Sequence, residues 1–355
     1  MKILAPCNHP NEVDLLLEAG ADELYCGVLS QAWRSRFTNL ASCNRREWRA
    51  ANLDDVEQLG RVVARTHAHG AVIHLALNAF YTEEQYPLVL EQVEQALALE
   101  VDALIVADPG LIRTLHERYP AVRLHISTGG TTFNRATVAF YRSFGAARIV
   151  LPRQLRIEEM TAIIAAHPDL EFEAFVLNSG CKNIDGFCTF QHGVSELRHG
   201  PLWKVPKRLG LDGLLLDGLR YVPKSLARKV RAGRLPMDSA CHLSYQVTDL
   251  TQPSTKQSRR LAKNVKDSFS LLAAVDPCAA CRLPELLAGG LHGVKIVGRN
   301  HPTAKKHRDV VFLRGLLDAL STDMVTDFRA MARQEFRRLY GYACAELCYY
   351  SDEAK

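Results

Sequence analysis

The run Ala288-Gly-Gly-Leu-His-Gly-Val-Lys-Ile-Val-Gly298 reads as the end of a helix, a tight turn on glycine and a short buried strand. The same junction recurs at Glu18-Ala-Gly-Ala-Asp-Glu-Leu-Tyr-Cys-Gly27, Leu99-Glu-Val-Asp-Ala-Leu-Ile-Val-Ala-Asp108 and Phe144-Gly-Ala-Ala-Arg-Ile-Val-Leu-Pro152. Parallel strands buried on both faces read as continuous apolar runs, and amphipathic helices join them. Strands are expected at 3–6, 23–28, 71–78, 103–108, 122–128, 148–152, 170–178 and 294–299. Eight such strands close a (β/α)8 TIM-like barrel. An open doubly wound sheet fits less well, because Pro6 and Cys7 stand where a glycine-rich phosphate loop would follow the first strand. Asn8 is expected to cap a helix that runs to Gly20, and Asn52 one that turns Val56, Leu59 and Val63 to one face.

The alternation breaks between Cys181 and about Leu283. The expected organisation is a barrel over 1–180 and 282–322, a cysteine-bearing insertion over 181–281 after strand 7, and a C-terminal helical tail over 323–355 with Phe328, Met331 and Leu339 inward. An insertion there would sit on the C-terminal face of the barrel, where active sites of this architecture are built. Within it, segment 201–235 holds nine Lys or Arg against Asp212 and Asp217. That stretch carries +7 and the rest of the 355-residue chain sums to −2, so attraction for a polyanion is local. Trp203 and Tyr221 suit base stacking, while Leu214, Leu215 and Leu216 suit a packed helix or a membrane-facing surface.

A hydrophobic fraction of 47% and a charged fraction of 23% exclude disordered, collagen-like and coiled-coil chains. No run of about 18 apolar residues marks a transmembrane helix. The N-terminal stretch lacks the apolar core of a signal peptide, so a cytoplasmic location is expected. Ten cysteines in a reducing compartment divide into buried core thiols and metal-binding or reactive ones. Cys181 and Cys188 follow strand 7 with six residues between them, and Cys241 and Cys278 come next. Four thiolates gathered by irregular backbone could hold zinc or a 4Fe-4S cluster, or could be separate core residues. Cys278 and Cys281 also make a Cys-x-x-Cys, Cys7, Cys26 and Cys43 are expected to be buried, and Cys344 and Cys348 to lie against the barrel.

The opening from Ala5 to Gly27 resembles the N-terminal motif of the collagenase-like peptidase family U32. Val101 to Gly110, His125-Ile-Ser-Thr128, Arg148 to Arg153, Glu171 to Val176, Leu283 to Gly289 and Val294 to Arg299 fall in the family's order. The resemblance implies a 4Fe-4S cluster on Cys181, Cys188, Cys241 and Cys278. It also implies kinship with anaerobic ubiquinone-pathway hydroxylases that work in pairs, and with enzymes that hydroxylate tRNA wobble uridine or 23S rRNA cytidine with prephenate as an oxygen source. The expected activity is oxygen-independent hydroxylation of RNA or of an aromatic, quinone-type small molecule. The alternatives are an iron-sulfur subunit that serves a related partner chain and, third, the peptidase of the family label. Two departures stand out. Leu177-Asn178 replaces a His-Gly pair common in the family, and the 52 residues between Cys188 and Cys241 are more than is usual.

Over the expected strand ends, Asn78, Asp108, Thr128, Arg153, Glu173 and Arg299 are placed to meet a substrate. Arg153 and Arg299 are the candidates for an anionic donor, since guanidinium forks pair bidentately with carboxylates.

Overall fold

The computed structural model describes residues 1–37, 43–46, 51–178, 184–187, 277–321, 327–341 and 348–350. Eight parallel strands close a barrel in the order of the sequence. They are β1 (Lys2–Pro6), β2 (Glu23–Cys26), β3 (Val72–Leu77), β4 (Ala103–Val106), β5 (Leu124–Ile126), β6 (Ala146–Val150), β7 (Glu171–Leu177) and β8 (Gly293–Ile296). The helices of the outer ring are α1 (Val13–Glu18), α2 (Gln31–Arg36), α3 (Val56–Ala68), α4 (Tyr86–Ala98), α5 (Pro109–Arg118), α6 (Arg135–Arg142), α7 (Ile157–Ala166), α8 (Leu283–Ala288) and α9 (Thr303–Ser321). The tail begins with α10 (Phe328–Tyr340), whose Phe328, Ala332 and Phe336 are buried. Cys181, Cys188, Cys241 and the basic segment 201–235, with Trp203 and Tyr221, lie outside the described residues. No helix among the described residues is long and apolar enough to cross a membrane.

Most of the core lies between the strands and the ring of helices. Leu4, Tyr25, Ala76 and Ile105 form a separate small apolar cluster among four neighbouring strands. Towards the strand N-termini the filling becomes ionic. Arg148 donates to both Glu23 oxygens, with Nη2 2.9 Å from Oε1, and to Glu171 from Nε at 2.9 Å. Its Nη1 also reaches Glu173 at 3.3 Å, and Lys295 donates to the other Glu173 oxygen at 3.0 Å. His74 and His125 pack edge to face beside this network, 4.5 Å between ring centroids. Burial holds the His74 imidazole neutral, its pKa pushed down to about 3.

Two helix starts differ from the sequence expectation, for one physical reason. His9, not Asn8, caps the first turn, its Nδ1 accepting from Asn11 N at 3.1 Å. Asp55, not Asn52, caps α3 through Gln58 N at 2.8 Å. Both asparagines are instead recruited by buried cations. Asn8 accepts from Lys306, which also donates to Glu12 at 2.9 Å, and Asn52 accepts from Arg299 at 3.4 Å. A buried ammonium or guanidinium must be satisfied, and that demand outweighs the roughly 1 kcal/mol of a cap.

Asn178, just past β7, is left-handed at φ +66. Glycine adopts this conformation freely and asparagine is the next most tolerant residue. The backbone here therefore suits either residue, and the asparagine side chain adds a 2.7 Å bond to the buried Asp309 of α9.

Candidate functional site

The C-terminal ends of the strands converge on Tyr25. Its hydroxyl donates to Ile296 O at 3.0 Å, and the Lys295 ammonium sits 4.3 Å from its ring centroid. Burial pushes its pKa up to about 12, against the opposing fields of Arg299, Arg46 and Arg153. Those three arginines mark the mouth.

Arg299, in the loop after β8, is 5% exposed. Its Nη2 donates to the carbonyl and side-chain oxygens of Asn44 at 3.0 and 3.1 Å, and Nη1 to Asn52 Oδ1 at 3.4 Å. Asn44 Nδ2 closes the ring onto Asn52 Oδ1 at 2.7 Å, and Asn52 Nδ2 holds Arg46 O at 2.7 Å. Gly27 makes room for this arrangement: a Cβ there would lie 1.8 Å from Arg299 Nη1. Every acceptor in this set is neutral, and burial lowers the Arg299 pKa to about 10. Arg45 comes close to the same mouth, its Nη1 3.3 Å from where a Gly129 Cβ would stand.

The other candidates take distinct places. Arg153 pairs through Nη1 with Asp185 Oδ1 at 2.6 Å and lies over the Phe175 ring at 3.8 Å. Asp185 also accepts from Arg153 N at 2.9 Å, which docks residues 184–187 beside the β6 loop. Asn78 Nδ2 donates to Ser127 Oγ at 3.2 Å, while its Oδ1 is buried without a partner among the described residues. Thr128, next in the chain after Ser127, is buried at the start of the one-turn 3-10 segment Thr128–Gly130. Asp108 caps α5 through Leu111 N at 2.9 Å, and it accepts from Tyr81 N at 3.0 Å and Tyr86 Oη at 2.9 Å. It thereby ties the β3 and β4 loops into one rim. Glu173 lies deeper, within the Arg148 and Lys295 network. Asn78, Ser127 and Thr128 are thus brought together with Arg45, Arg153 and Arg299 stand on the β6 and β8 loops, and Asp108 and Glu173 are fully engaged within the scaffold.

Of the four cysteines proposed as cluster ligands, Cys278 is the one described. It is 5% exposed, bridges the end of β7 at Leu177, and accepts at sulfur from Ala280 N at 3.3 Å. A buried sulfur with a backbone donor suits a metal-bound thiolate. Among the described residues no three Cys, His, Asp or Glu side chains are arranged to hold a metal ion. Cys7, Cys26 and Cys43 are wholly buried thiols, and burial pushes Cys7 and Cys43 up to about 12.

Asn44, Arg45 and Arg46 escaped the sequence reading, as did the docking of Tyr349 and Tyr350, whereas Cys348 lies against the barrel as its sequence reading expects. Asn44, Arg45 and Arg46 belong to the segment between α2 and α3, where nothing in the local sequence marks them out. Cys348, Tyr349 and Tyr350 return to the mouth, with Cys348 bridging Cys278 and Tyr350 Oη donating to Phe175 O at 3.0 Å. No local pattern announces a contact between residues 70 positions apart.

Comparison with known proteins supplies the context for this mouth. The tRNA hydroxylation protein P of Haemophilus influenzae is 28% identical over 307 residues, covering 84% of this chain and 63% of that protein. The Escherichia coli protein of the same name is 29% identical over 195 residues, 55% of this chain and 40% of its own length. The 23S rRNA 5-hydroxycytidine C2501 synthase of E. coli is 26% identical over 54% of this chain and 26% of that enzyme. The chain thus spans less than two thirds of the length of each of these relatives. A solved U32 peptidase structure aligns over 50% of this chain and 68% of its own, with 17% identity and a TM-score of 0.39. The sequence pattern of peptidase family U32 matches from residue 8 to residue 200, more than half of the sequence, and the chain belongs to that family.

Proposed function

We propose that this chain hydroxylates a base in RNA without molecular oxygen, using a 4Fe-4S cluster held by Cys181, Cys188, Cys241 and Cys278. The observation that carries the reading is the buried Arg299 guanidinium, whose acceptors among the described residues are carbonyl and amide oxygens alone. A buried cation without a counter-charge costs several kcal/mol, and an anion in the mouth relieves that cost. The RNA phosphates and the carboxylates of an oxygen donor such as prephenate are anions of this kind. The names of the relatives, which act on tRNA and rRNA, point to the RNA class.

The roles of the chain's own residues follow from their chemistry. Arg299, with Arg45 and Arg46 beside it, would hold the anionic group. Asn78 Oδ1, without a partner among the described residues, would accept from a base N–H, and Ser127 orients that amide. Asp108, Tyr81 and Tyr86 keep the rim together and limit the entry of water. When bound, the cluster would supply electron transfer. Of the four cysteines proposed to hold it, Cys278 lies among the described residues, with its sulfur accepting from Ala280 N.

The test is anaerobic purification with iron and sulfide analysis, then incubation with RNA and mass spectrometry of the nucleoside digest. The expected products are nucleosides one oxygen atom heavier, formed without oxygen gas. Colourless protein carrying stoichiometric zinc would exclude the cluster, and unchanged nucleosides together with cleavage of a peptide library would return the chain to the peptidase label.

A further inference from the structure

The described residues bury the side chains of Arg148, Arg282, Lys295, Arg299 and Lys306. Four of these meet a carboxylate: Arg148 at Glu171 (2.7 Å), Arg282 at Glu285 (3.3 Å), Lys295 at Glu173 (3.0 Å) and Lys306 at Glu12 (2.9 Å). Arg299 is the exception among the described residues, held by amide and carbonyl oxygens instead. A carboxylate is the stronger partner for a buried guanidinium, so the use of amides here calls for a physical reason.

The reason lies in what each amide does with its two ends. Asn44 turns Oδ1 to Arg299 Nη2 at 3.1 Å, and its Nδ2 donates to Val28 O at 3.1 Å and to Asn52 Oδ1 at 2.7 Å. Asn52 turns Oδ1 to Arg299 Nη1 at 3.4 Å, and its Nδ2 donates to Arg46 O at 2.7 Å. Each side chain accepts from the cation at one end and donates to a carbonyl at the other, which an ionised carboxylate cannot do. Gly27 leaves room for both, since a Cβ there would stand 2.5 Å from Asn44 Nδ2 and 2.8 Å from Asn52 Oδ1. The surrounding backbone thus favours amides over acids at both positions.

We propose that Asn44 and Asn52 are positioning residues that aim Arg299 while leaving its charge uncompensated, so that the site selects a ligand carrying an oxyanion, carboxylate or phosphate, over a neutral one. The inference rests on the reading of Arg299 as the anion site and adds which residues set its selectivity. Two amides fix the guanidinium fork through hydrogen bonds, but they contribute dipoles and no net charge. The full positive charge is then left for the ligand. An acid in either place would hold the fork as well and cancel the charge that the ligand needs.

The test uses malonate as the carboxylate probe and inorganic phosphate as the phosphate probe, each titrated into the full chain at constant ionic strength with the melting temperature as readout. The saturable rise that Arg299→Gln abolishes reports this site, and the probe that produces it names the source of the oxyanion. Asn52→Asp should weaken that binding at least about tenfold, through repulsion between the new carboxylate and the probe. Asn44→Asp, which sets the same charge beside Nη2, should do likewise and serves as the second arm where the first variant fails to fold. Asn52→Ala removes an acceptor and adds no charge, so its binding should stay within about threefold of the unaltered chain. Equal weakening by alanine and aspartate would mark a merely structural clamp and overturn the inference, as would an aspartate variant that binds like the unaltered chain; either result leaves Arg299 as an anion site. Absence of a saturable rise with both probes would overturn the inference together with that reading.

Discussion

Replacing Arg148 by methionine tests the ionic filling of the barrel directly. Arg148 is 4% exposed at the side chain and contacts Glu23 and Glu173, which are 2% and 1% exposed. Methionine keeps much of the length but leaves Glu23 with Lys2 at 3.1 Å and Glu173 with Lys295 at 3.0 Å as their remaining cations. Breaking a buried pair from one side costs about 3–5 kcal/mol. A second route gives a similar size. The Glu23 carboxyl is lowered from 4.5 to about 2 against the desolvation that opposes it, chiefly by the hydrogen bonds of the Arg148 guanidinium. Each pKa unit is ~1.4 kcal/mol, so ionised Glu23 contributes about 3 kcal/mol at neutral pH. Because the folded-state value is depressed, that stability is present above the unfolded value of 4.5 and is lost as pH falls towards 2. Urea unfolding of both proteins at matched slopes should therefore show a gap of about 3–5 kcal/mol at pH 7 that narrows below pH ~4.5. A gap under about 1 kcal/mol at pH 7, the size of a surface ion pair, would refute the reasoning. So would a gap that stays constant down to pH ~3.

Three further outcomes are expected. Asn178→Ala should melt below Asn178→Gly, by about 1 kcal/mol of stability, because the left-handed backbone at φ +66 penalises a β-carbon that glycine lacks; thermal melts of the pair check it, and the reverse order would contradict it. Anaerobically purified Cys181→Ala and Cys241→Ala should lose iron and acid-labile sulfide together, whereas Cys281→Ala should retain both. Removing Lys204, Lys207 and Arg208 together should weaken RNA binding and flatten its dependence on salt by up to about 2 logarithmic units per logarithmic unit of salt; titrations at several salt concentrations measure the slope, and an unchanged slope would point to a small-molecule substrate.

The barrel was readable because its strands are buried on both faces and so stand out as unbroken apolar runs between glycine turns. The run Glu23-Leu-Tyr-Cys26 and the run Ala103-Leu-Ile-Val106 are strands as read, each about two residues shorter at its C-terminal end. What escaped reading is long-range charge pairing. Asn8 and Asn52 look like helix caps in their local sequence, and only the fold shows that Lys306 and Arg299 claim them. Asp108 sat among the substrate-facing candidates, but its carboxylate is spent on Leu111, Tyr81 and Tyr86, all fixed by the β3 and β4 loops. Arg45 and Arg46 went unweighed because two arginines in a loop signify nothing until the barrel sets them beside Arg299.

The two polar zones of the barrel differ in their charge balance, and the difference bears on where binding occurs. In the lower zone Glu23 and Glu173 meet Arg148 and Lys295, with Glu171 reaching in from the edge. Cations and anions there are close to parity, so the zone is internally satisfied and rigid, as suits a structural layer. In the upper zone Arg299 meets amide and carbonyl oxygens, and the carboxylate of Asp185 is committed to Arg153. Dipoles solvate a guanidinium but do not cancel its charge, so field lines from Arg299 and its neighbours run out through the mouth. Tyr25 stands between the zones, and Arg299, Arg46 and Arg153 all act on its hydroxyl to favour the negative form. Among the described residues the C-terminal face thus presents more positive than negative charge above a neutralised floor, and it is this imbalance that the proposed anionic group would answer.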